Sequence, residues 1–286
     1  MTDSTKPPYD REALLSALNK LKGATLEKPK PKEELNLEKL SKEQVTHRIN
    51  EFLSPLGKKM WAPQVQEVVE PQLKPDITHS KYFGVPWLYA KEGWPVIGGL
   101  PAVFVMQLNI ATLPSEMSKQ LGGKGLLQMF YQTSRDSNCD WDDNAFVRIV
   151  DISKPGKTLP QPKVDDYLIP NEKLIIGWTE YIDYPHPDNL EDIKGYKELE
   201  ALTEYNGVNL HENLTYPYQG DKLGGWPFWT QGGGETDNYV YQLDASDYPD
   251  SKTLPSYAPE LFAGDGTGHV FIAKGDKEGE FYWACG

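Results

Sequence analysis

Residues 80–88 read SKYFGVPWL, residues 221–229 read DKLGGWPFW, and the two segments align without a gap. The aligned positions share a lysine, a glycine, a proline and an aromatic residue: Lys81 with Lys222, Gly84 with Gly225, Pro86 with Pro227, and Trp87 with Phe228. Glycine admits positive φ and proline fixes φ, so both segments predict the same stiff turn at the entrance of a strand. The alignment indicates two copies of one structural unit.

Two further blocks follow each turn in the same order. Residues 104–109 (FVMQLN) match residues 239–244 (YVYQLD), and residues 125–129 (GLLQM) match residues 268–272 (GHVFI). The spacing between copies is nearly constant, since 227 − 86 = 141, 242 − 107 = 135 and 268 − 125 = 143. Solenoid units are only about 20–45 residues long, so this period predicts an internal duplication instead. The expected halves are about residues 78–150 and 219–286.

A glutamine recurs in the second block, as Gln107 and Gln242. Its amide offers donors and acceptors at once, so a buried glutamine can join a strand end to neighbouring loops. We therefore interpret both glutamines as structural residues.

The N-terminal segment, residues 1–55, differs in character from the rest of the chain. Apolar residues recur at helical spacing over about residues 10–22 and 41–52, on either side of a linker rich in proline and charge. From residue 62, short apolar runs separated by glycine, proline and polar clusters predict strands. The expected strands are 102–108, 125–132, 146–151, 174–180, 239–243 and 269–273, with a weaker candidate at 164–169 and a short helix at 190–202. The expected fold class is α+β: a helical arm over residues 1–55, and a β-rich body of two related halves over residues 56–286.

These blocks, together with GGWPFWTQ at 224–231 and GDGTGHVFI at 264–272, resemble the YwqG-like family of bacterial proteins of unknown function. The resemblance covers about residues 60–286 and includes the closing Trp283 and Cys285. It implies an α+β fold with an internal duplication, and it supplies no catalytic residues. It also implies that the chain is a candidate for an immunity protein that neutralises a toxin. Phe83 departs from the family pattern, which has a second glycine before Gly84.

The charge balance is acidic, since 29 Lys and Arg against 42 Asp and Glu give a net charge of −13. Proteins that bind nucleic acids or anionic membranes need a basic face, so the balance argues against both partners. A basic protein is the partner that long-range electrostatics would favour.

Three features of the sequence predict a cytoplasmic protein. The N-terminus lacks a secretory signal pattern, no apolar run approaches the ~20 residues that span a bilayer, and only two cysteines are present. The five histidines show no zinc-binding spacing, so neither a metal nor another cofactor is expected. The oligomeric state is left open.

The leading functional hypothesis is a non-enzymatic immunity protein that occludes the basic active site of a bacterial toxin. Acidic segments supply the candidate contact residues: Asp140, Trp141, Asp142, Asp143, Asp183, Asp188, Glu191 and Asp192. One alternative is an enzyme acting on a small or modified substrate through Asp265 and His269, and another is an aromatic-rich carbohydrate-binding protein. The candidate small-ligand site comprises Asp265, His269, Gln242 and Trp229. The structural interpretation of Asp265 is a turn that orders the entrance to the last strand.

Overall fold

The computed structural model describes residues 38–68, 76–132, 145–164, 169–191, 193–214, 217–231, 234, 236–245, 254–257, 262 and 266–285. A compact unit extends from Lys39 to Gly286. Within the described ranges, no helix is long and apolar enough to cross a membrane.

Strands dominate the described part of the chain. They are β1 (Lys58–Glu67), β2 (Lys81–Tyr82), β3 (Trp87–Tyr89), β4 (Val96–Ile97), β5 (Leu100–Pro101), β6 (Val103–Asn109), β7 (Leu126–Tyr131), β8 (Ala145–Val150), β9 (Gly156–Thr158), β10 (Lys173–Asp183), β11 (Lys222–Gly224), β12 (Tyr239–Asp244), β13 (Thr267–Phe271) and β14 (Glu278–Ala284). The helices are α1 (Lys42–Leu53), α2 (Ser115–Gln120), α3 (Tyr196–Tyr205) and α4 (Leu210–Asn213).

Ten strands close into a barrel in the order β1-β10-β2-β6-β7-β8-β14-β13-β12-β11, and β11 pairs back onto β1. Strand β3 pairs with β9 and strand β4 with β5 in two small separate sheets. Side chains at alternate strand positions, such as Met106, Leu127 and Val270, form one large apolar cluster that fills the barrel. The β-rich body expected from the sequence is confirmed.

The barrel consists of two arcs with the same strand pattern. One arc runs β10-β2-β6-β7-β8, and the other runs β1-β11-β12-β13-β14. Lys81 pairs with Gln107 in the first arc, and Lys222 pairs with Gln242 in the second. The repeated sequence blocks therefore occupy corresponding places in the barrel.

The next ladder in each arc also carries the same irregularity. The register of β6 against β7 shifts between Phe104 and Met106, and the register of β12 against β13 shifts between Tyr239 and Tyr241. These residues match one another in the sequence alignment of the second block. The two arcs thus bend at equivalent points.

The third block needs a corrected alignment. Gln107 pairs with Gln128, and Gln242 pairs with His269. His269 therefore occupies the place of Gln128, whereas the sequence alignment of this block matched Gln128 with Phe271. That alignment was wrong because both strands follow glycine-rich segments that offer more than one match.

Helix α1 confirms the helix predicted at about 41–52. The Ser41 hydroxyl accepts from the Gln44 N–H, and the Gln44 side chain accepts from the Ser41 N–H, which caps the first turn. Val45 and Ile49 are buried in a cluster with residues of α3 and α4. The compact unit therefore begins before the predicted boundary at residue 55, because the apolar face of α1 is part of its core.

The six expected strands are all present, within a few residues of their predicted ends. The helix predicted at 190–202 forms later, as α3, because Gly195 immediately before it has a φ of 95°, which a right-handed helix cannot include. The helix predicted at 10–22 lies outside the described residues, as does most of the weak candidate at 164–169. Among the longer strands, β1 and β14 were not predicted, and the short strands β2, β3, β4, β5, β9 and β11 were not predicted either.

Candidate functional site

Gln107 on β6 holds three chain segments together. Its Oε1 accepts from the Trp87 N–H at 3.1 Å, and its Nε2 donates to the carbonyl oxygens of Ile77 and His79, both at 2.9 Å. Both ends of the amide are used, so the segments before β2 and at the start of β3 are fixed to β6.

Gln242 on β12 makes the same set of bonds in the second arc. Its Oε1 accepts from the Phe228 N–H at 2.8 Å, and its Nε2 donates to the carbonyl oxygens of Tyr218 at 3.3 Å and Gly220 at 2.8 Å. The structural interpretation of Gln107 and Gln242 is confirmed, since each is buried with its amide bonded to the turn that it supports.

A buried lysine stands beside each glutamine. Lys81 Nζ lies 2.8 Å from Glu172 Oε1, with side-chain exposures of 3% and 20%. Lys222 Nζ lies 2.7 Å from Asp183 Oδ2, and both of these side chains are 0% exposed. Burial lowers the pKa of Lys222, although the Asp183 carboxylate opposes this shift. Only in the first pair can water reach the carboxylate.

Asp183 is also held by backbone donors. Its carboxylate accepts from the N–H groups of Tyr218 at 2.9 Å, Trp226 at 2.9 Å and Tyr184 at 3.1 Å. The prediction that Asp183 contacts a partner is wrong, because the carboxylate is buried and bonded to Lys222 and three amides. It is a structural anion that anchors the turn after β11.

The neighbouring strand contributes one more bond to each turn. Gln128 Nε2 donates to the Trp87 carbonyl at 2.6 Å, and His269 Nε2 lies 2.8 Å from the Phe228 carbonyl. A carbonyl can only accept, so Nε2 of His269 carries the proton. Burial lowers the pKa of His269 to about 3, which keeps the imidazole neutral at physiological pH.

The two arcs differ beyond this position. In the first arc, Arg148 Nε donates to Gln128 Oε1 at 3.0 Å, and the guanidinium forms an ion pair with Glu92. In the second arc, the ring of Trp229 lies 4.2 Å from the ring of His269, centroid to centroid. The Arg148–Glu92 ion pair beside Gln128 in the first arc thus corresponds to the aromatic cluster around His269 in the second arc.

The structure brings together three of the four residues predicted to form a small-ligand site. His269 is paired with Gln242 across the β12–β13 ladder, and Trp229 packs against the imidazole ring. Asp265 lies outside the described residues. Nε2 is bonded to a carbonyl and burial lowers the pKa of His269 to about 3, so its imidazole is a weak base.

Three polar atoms of this aromatic cluster are buried without hydrogen-bond partners: Trp229 Nε1, the Tyr239 hydroxyl and His269 Nδ1. The Tyr239 ring lies 6.2 Å from that of His269. Leaving such an atom unsatisfied costs about 1–3 kcal/mol, so each one needs an explanation. The cluster combines aromatic rings with buried polar atoms that have no partner among the described residues.

Apart from Asp183, the residues predicted to contact a partner separate into two groups. Five lie outside the described residues: Asp140, Trp141, Asp142, Asp143 and Asp192. Asp188 and Glu191 are exposed. Glu200 on α3 is exposed as well, and burial followed by the charges of Glu200, Glu191 and Asp188 raises the pKa of the Tyr196 hydroxyl. We call Asp188, Glu191 and Glu200 the acidic patch.

An open groove of about 460 Å³ lies beside the segment that leads into β2 in the first arc. It is lined by residues of the segment before β2, the end of β6 and β10: Asp76, Thr78, His79, Ser80, Asn109, Thr112, Leu174, Ile175, Ile176, Gly177 and Trp178. Ile176 is 62% exposed. It has no partner residue on β1, since the register of the β1–β10 ladder shifts at this point. The groove therefore combines a polar wall with an apolar one.

The family described as a domain of unknown function (DUF1963) matches residues 80–283. The chain belongs to this family. The match agrees with the YwqG-like resemblance, and its residues include Gln107, Gln242 and both buried lysines. No curated protein matches the chain.

In the described ranges, no group of three or more His, Cys, Asp and Glu side chains is placed to hold a metal ion.

The DUF1963 region has features that could not be seen in its sequence. Sequence reasoning missed the groove and the partners of the buried lysines, Glu172 and Asp183. The recurrence of a lysine in both turns was the available signal for the ion pairs, since a lysine kept at equivalent places in two strands requires a carboxylate nearby.

Proposed function

We propose that this DUF1963 protein is a non-enzymatic binding protein of the cytoplasm, an immunity protein that neutralises a bacterial toxin by covering its basic active site. The acidic patch supports the proposal, because Asp188, Glu191 and Glu200 come from a 3₁₀ turn, the turn that follows it and α3, and all three are exposed. The resemblance to the YwqG-like family supports the same function by association.

The surroundings of the patch strengthen its field. Residues 184–214 contain seven Asp and Glu and two Lys, so their formal charge is 2 − 7 = −5. Charge of one sign attracts an oppositely charged partner over a Debye length and can raise association rates by about 10–10³-fold. A basic cleft, as found in enzymes that cut nucleic acids, is complementary to such a surface.

Co-expression with a candidate toxin tests the proposal. Any toxin domain found to be encoded next to the gene is induced in bacteria together with the wild-type chain or with the triple variant Asp188→Asn, Glu191→Gln, Glu200→Gln. A matched control, Glu67→Gln, Asp276→Asn, Glu278→Gln, removes the same charge from exposed residues elsewhere.

We expect the wild type and the control to restore growth and the patch variant to lose protection. The loss should be accompanied by a slower association rate that depends on salt. Equal protection by both triple variants, or no protection by the wild type against any neighbouring toxin, would refute the proposal.

The second candidate function is binding of a neutral sugar at the aromatic cluster. The half-buried Trp229 favours it, because sugars stack on aromatic faces. Titration with monosaccharides while Trp fluorescence is recorded tests this function. Saturable quenching that Tyr239→Phe weakens would support it, and its absence for every sugar would eliminate it.

We also propose that the two arcs arose by duplication of one unit. The shared strand order, the matching register shifts and the equivalent bonds of Gln107 and Gln242 support this origin. Comparison of many DUF1963 sequences tests it. Lysine and glutamine should recur in both halves of most members, and a motif confined to one half would count against duplication.

A further inference from the structure

The row of paired residues that contains His269 ends differently from its counterpart in the first arc. In the first arc, Gln128 on β7 pairs with Arg148 on β8. In the second arc, His269 on β13 occupies the place of Gln128 and pairs with Tyr282 on β14. Tyr282 therefore stands where the first arc has Arg148.

The arginine completes the hydrogen bonding of Gln128 in the first arc. Arg148 Nε donates to Gln128 Oε1 at 3.0 Å, and Arg148 Nη2 donates to Glu92 Oε2 at 3.2 Å. The guanidinium carbon lies 5.7 Å from the centroid of the Phe130 ring, within the range of a cation–π contact. An acceptor, a carboxylate and an aromatic face thus hold this guanidinium group.

The corresponding acceptor in the second arc lacks a donor. His269 Nε2 is bonded to the Phe228 carbonyl as Gln128 Nε2 is bonded to the Trp87 carbonyl, which leaves Nδ1 in the place of Gln128 Oε1. Because Nε2 carries the proton of the neutral imidazole, Nδ1 can only accept. Among the described residues no group donates to Nδ1, although His269 is 0% exposed. A buried acceptor without a donor is uncommon, so Nδ1 points to a bound group.

The other two components of the first-arc site also have counterparts. Phe271 stands where Phe130 does, two residues after His269 as Phe130 is after Gln128. Glu280 pairs with Phe271 across the β13–β14 ladder, and its carboxylate is exposed. The second arc therefore has an acceptor, an aromatic ring and a carboxylate around the position equivalent to the arginine.

We propose that the second arc binds the guanidinium group of an arginine side chain of a partner protein, in the place that Arg148 occupies in the first arc. The guanidinium donates to His269 Nδ1, pairs with Glu280 and packs against Phe271. Its planar set of N–H donors suits such a site, since it can bond to an acceptor and a carboxylate at once and stack on a ring. Nδ1 is buried and the Tyr282 ring is 39% exposed, so the Tyr282 side chain turns aside to admit the group.

The net charge of −13 favours a basic protein as the source of the arginine. The site uses none of the acidic patch, and its test needs no toxin. Either proposal can therefore fail without the other.

The probe is N-acetylarginine amide, in which the guanidinium is the single charged group. It is titrated into the full-length protein labelled with ¹⁵N-histidine, and a long-range ¹H–¹⁵N correlation spectrum resolves both ring nitrogens of the five histidines. N-acetylcitrulline amide is the neutral control of the same length. We expect a saturable change in the Nδ1 resonance of His269, and binding about tenfold weaker for the citrulline compound, since charge-assisted hydrogen bonds are the stronger ones.

Two carboxylate variants form a matched pair. Glu280→Gln removes the proposed counter-charge, whereas Glu67→Gln removes the same charge from an exposed residue of β1. We expect Glu280→Gln to weaken binding about two- to fivefold, as for an exposed ion pair, and Glu67→Gln to leave it unchanged.

Tyr282→Arg places an arginine of this chain in the site, as in the first arc. We expect this variant to lose binding of N-acetylarginine amide. Without any ligand, its His269 Nδ1 resonance should resemble that of the ligand-bound wild type, a change that a merely structural disturbance would not produce.

Four outcomes would overturn the proposal. The first is no change at Nδ1 up to the solubility limit of the arginine compound. The second is equal binding of the citrulline compound, which would make the occupant a neutral donor such as water or a sugar. The third is tighter binding of free arginine than of the capped compound, which would make a free amino acid the occupant. The fourth is undiminished binding by Tyr282→Arg.

Discussion

Replacing Lys222 by methionine should destabilise the barrel by about 3–5 kcal/mol. Methionine keeps most of the apolar stem but leaves the Asp183 carboxylate, 0% exposed, without its cation. Breaking a buried ion pair on one side typically costs this amount, because the remaining charge stays in a medium of low dielectric constant. The three backbone donors to Asp183 remain, so the carboxylate keeps part of its stabilisation and the lower end of the range applies.

Lys81→Met provides the matched comparison in the first arc. Its partner Glu172 is 20% exposed, so water can hydrate the carboxylate once the ammonium group is gone. We expect a loss of about 1–2 kcal/mol, close to that of a charged hydrogen bond partly open to solvent. The two substitutions are chemically identical, so the difference between them measures the burial of the carboxylate.

Urea unfolding followed by Trp fluorescence measures both losses. With a slope of about 2–3 kcal/mol per molar urea, Lys222→Met should lower the midpoint by about 1–2 M and Lys81→Met by less than 1 M. The double variant Lys222→Met, Asp183→Asn should lose less than the sum of its two single variants, since no uncompensated charge remains. Equal losses for the two lysine variants would refute the reasoning.

Three further substitutions have outcomes that follow from single groups. His269→Gln should reduce the loss of stability between pH 6.5 and about 3, seen in urea midpoints. The lowered pKa of His269 makes unfolding take up a proton in that range, and Gln128 shows that glutamine fits the equivalent position. Burial raises the pKa of Asp221 to about 8, so its contribution to stability is greatest below about pH 3.8 and is lost as pH rises towards 8; Asp221→Asn should flatten that fall in the same assay. Gly225→Ala should lower the melting temperature more than Gly207→Ala, since both have positive φ but only at Gly225 would a Cβ lie 2.6 Å from a buried carboxylate oxygen.

The residues that recur in both sequence blocks could be assigned their structural role from the sequence. Gln107 and Gln242 could be assigned structural roles because the same residue recurs in equivalent strands. Asp183 was misassigned because an acidic residue is exposed in most proteins, and nothing near it in the chain reveals that Lys222 is its partner. Strand β1 was missed because Pro63 argues against a central strand, yet the structure accommodates it opposite Trp178 next to a register shift.

The symmetry of the two arcs separates framework from candidate function. The glutamines, the lysines and their bonds to the turns are present in both arcs. They therefore explain the barrel structure, and they do not explain any feature that is present in one arc alone. Among the unshared features are the open groove beside Ser80 in the first arc and the Trp229–His269 cluster in the second. Neither feature recurs in both arcs, so neither belongs to the framework that the arcs have in common. We expect substitutions there to alter ligand binding more than stability.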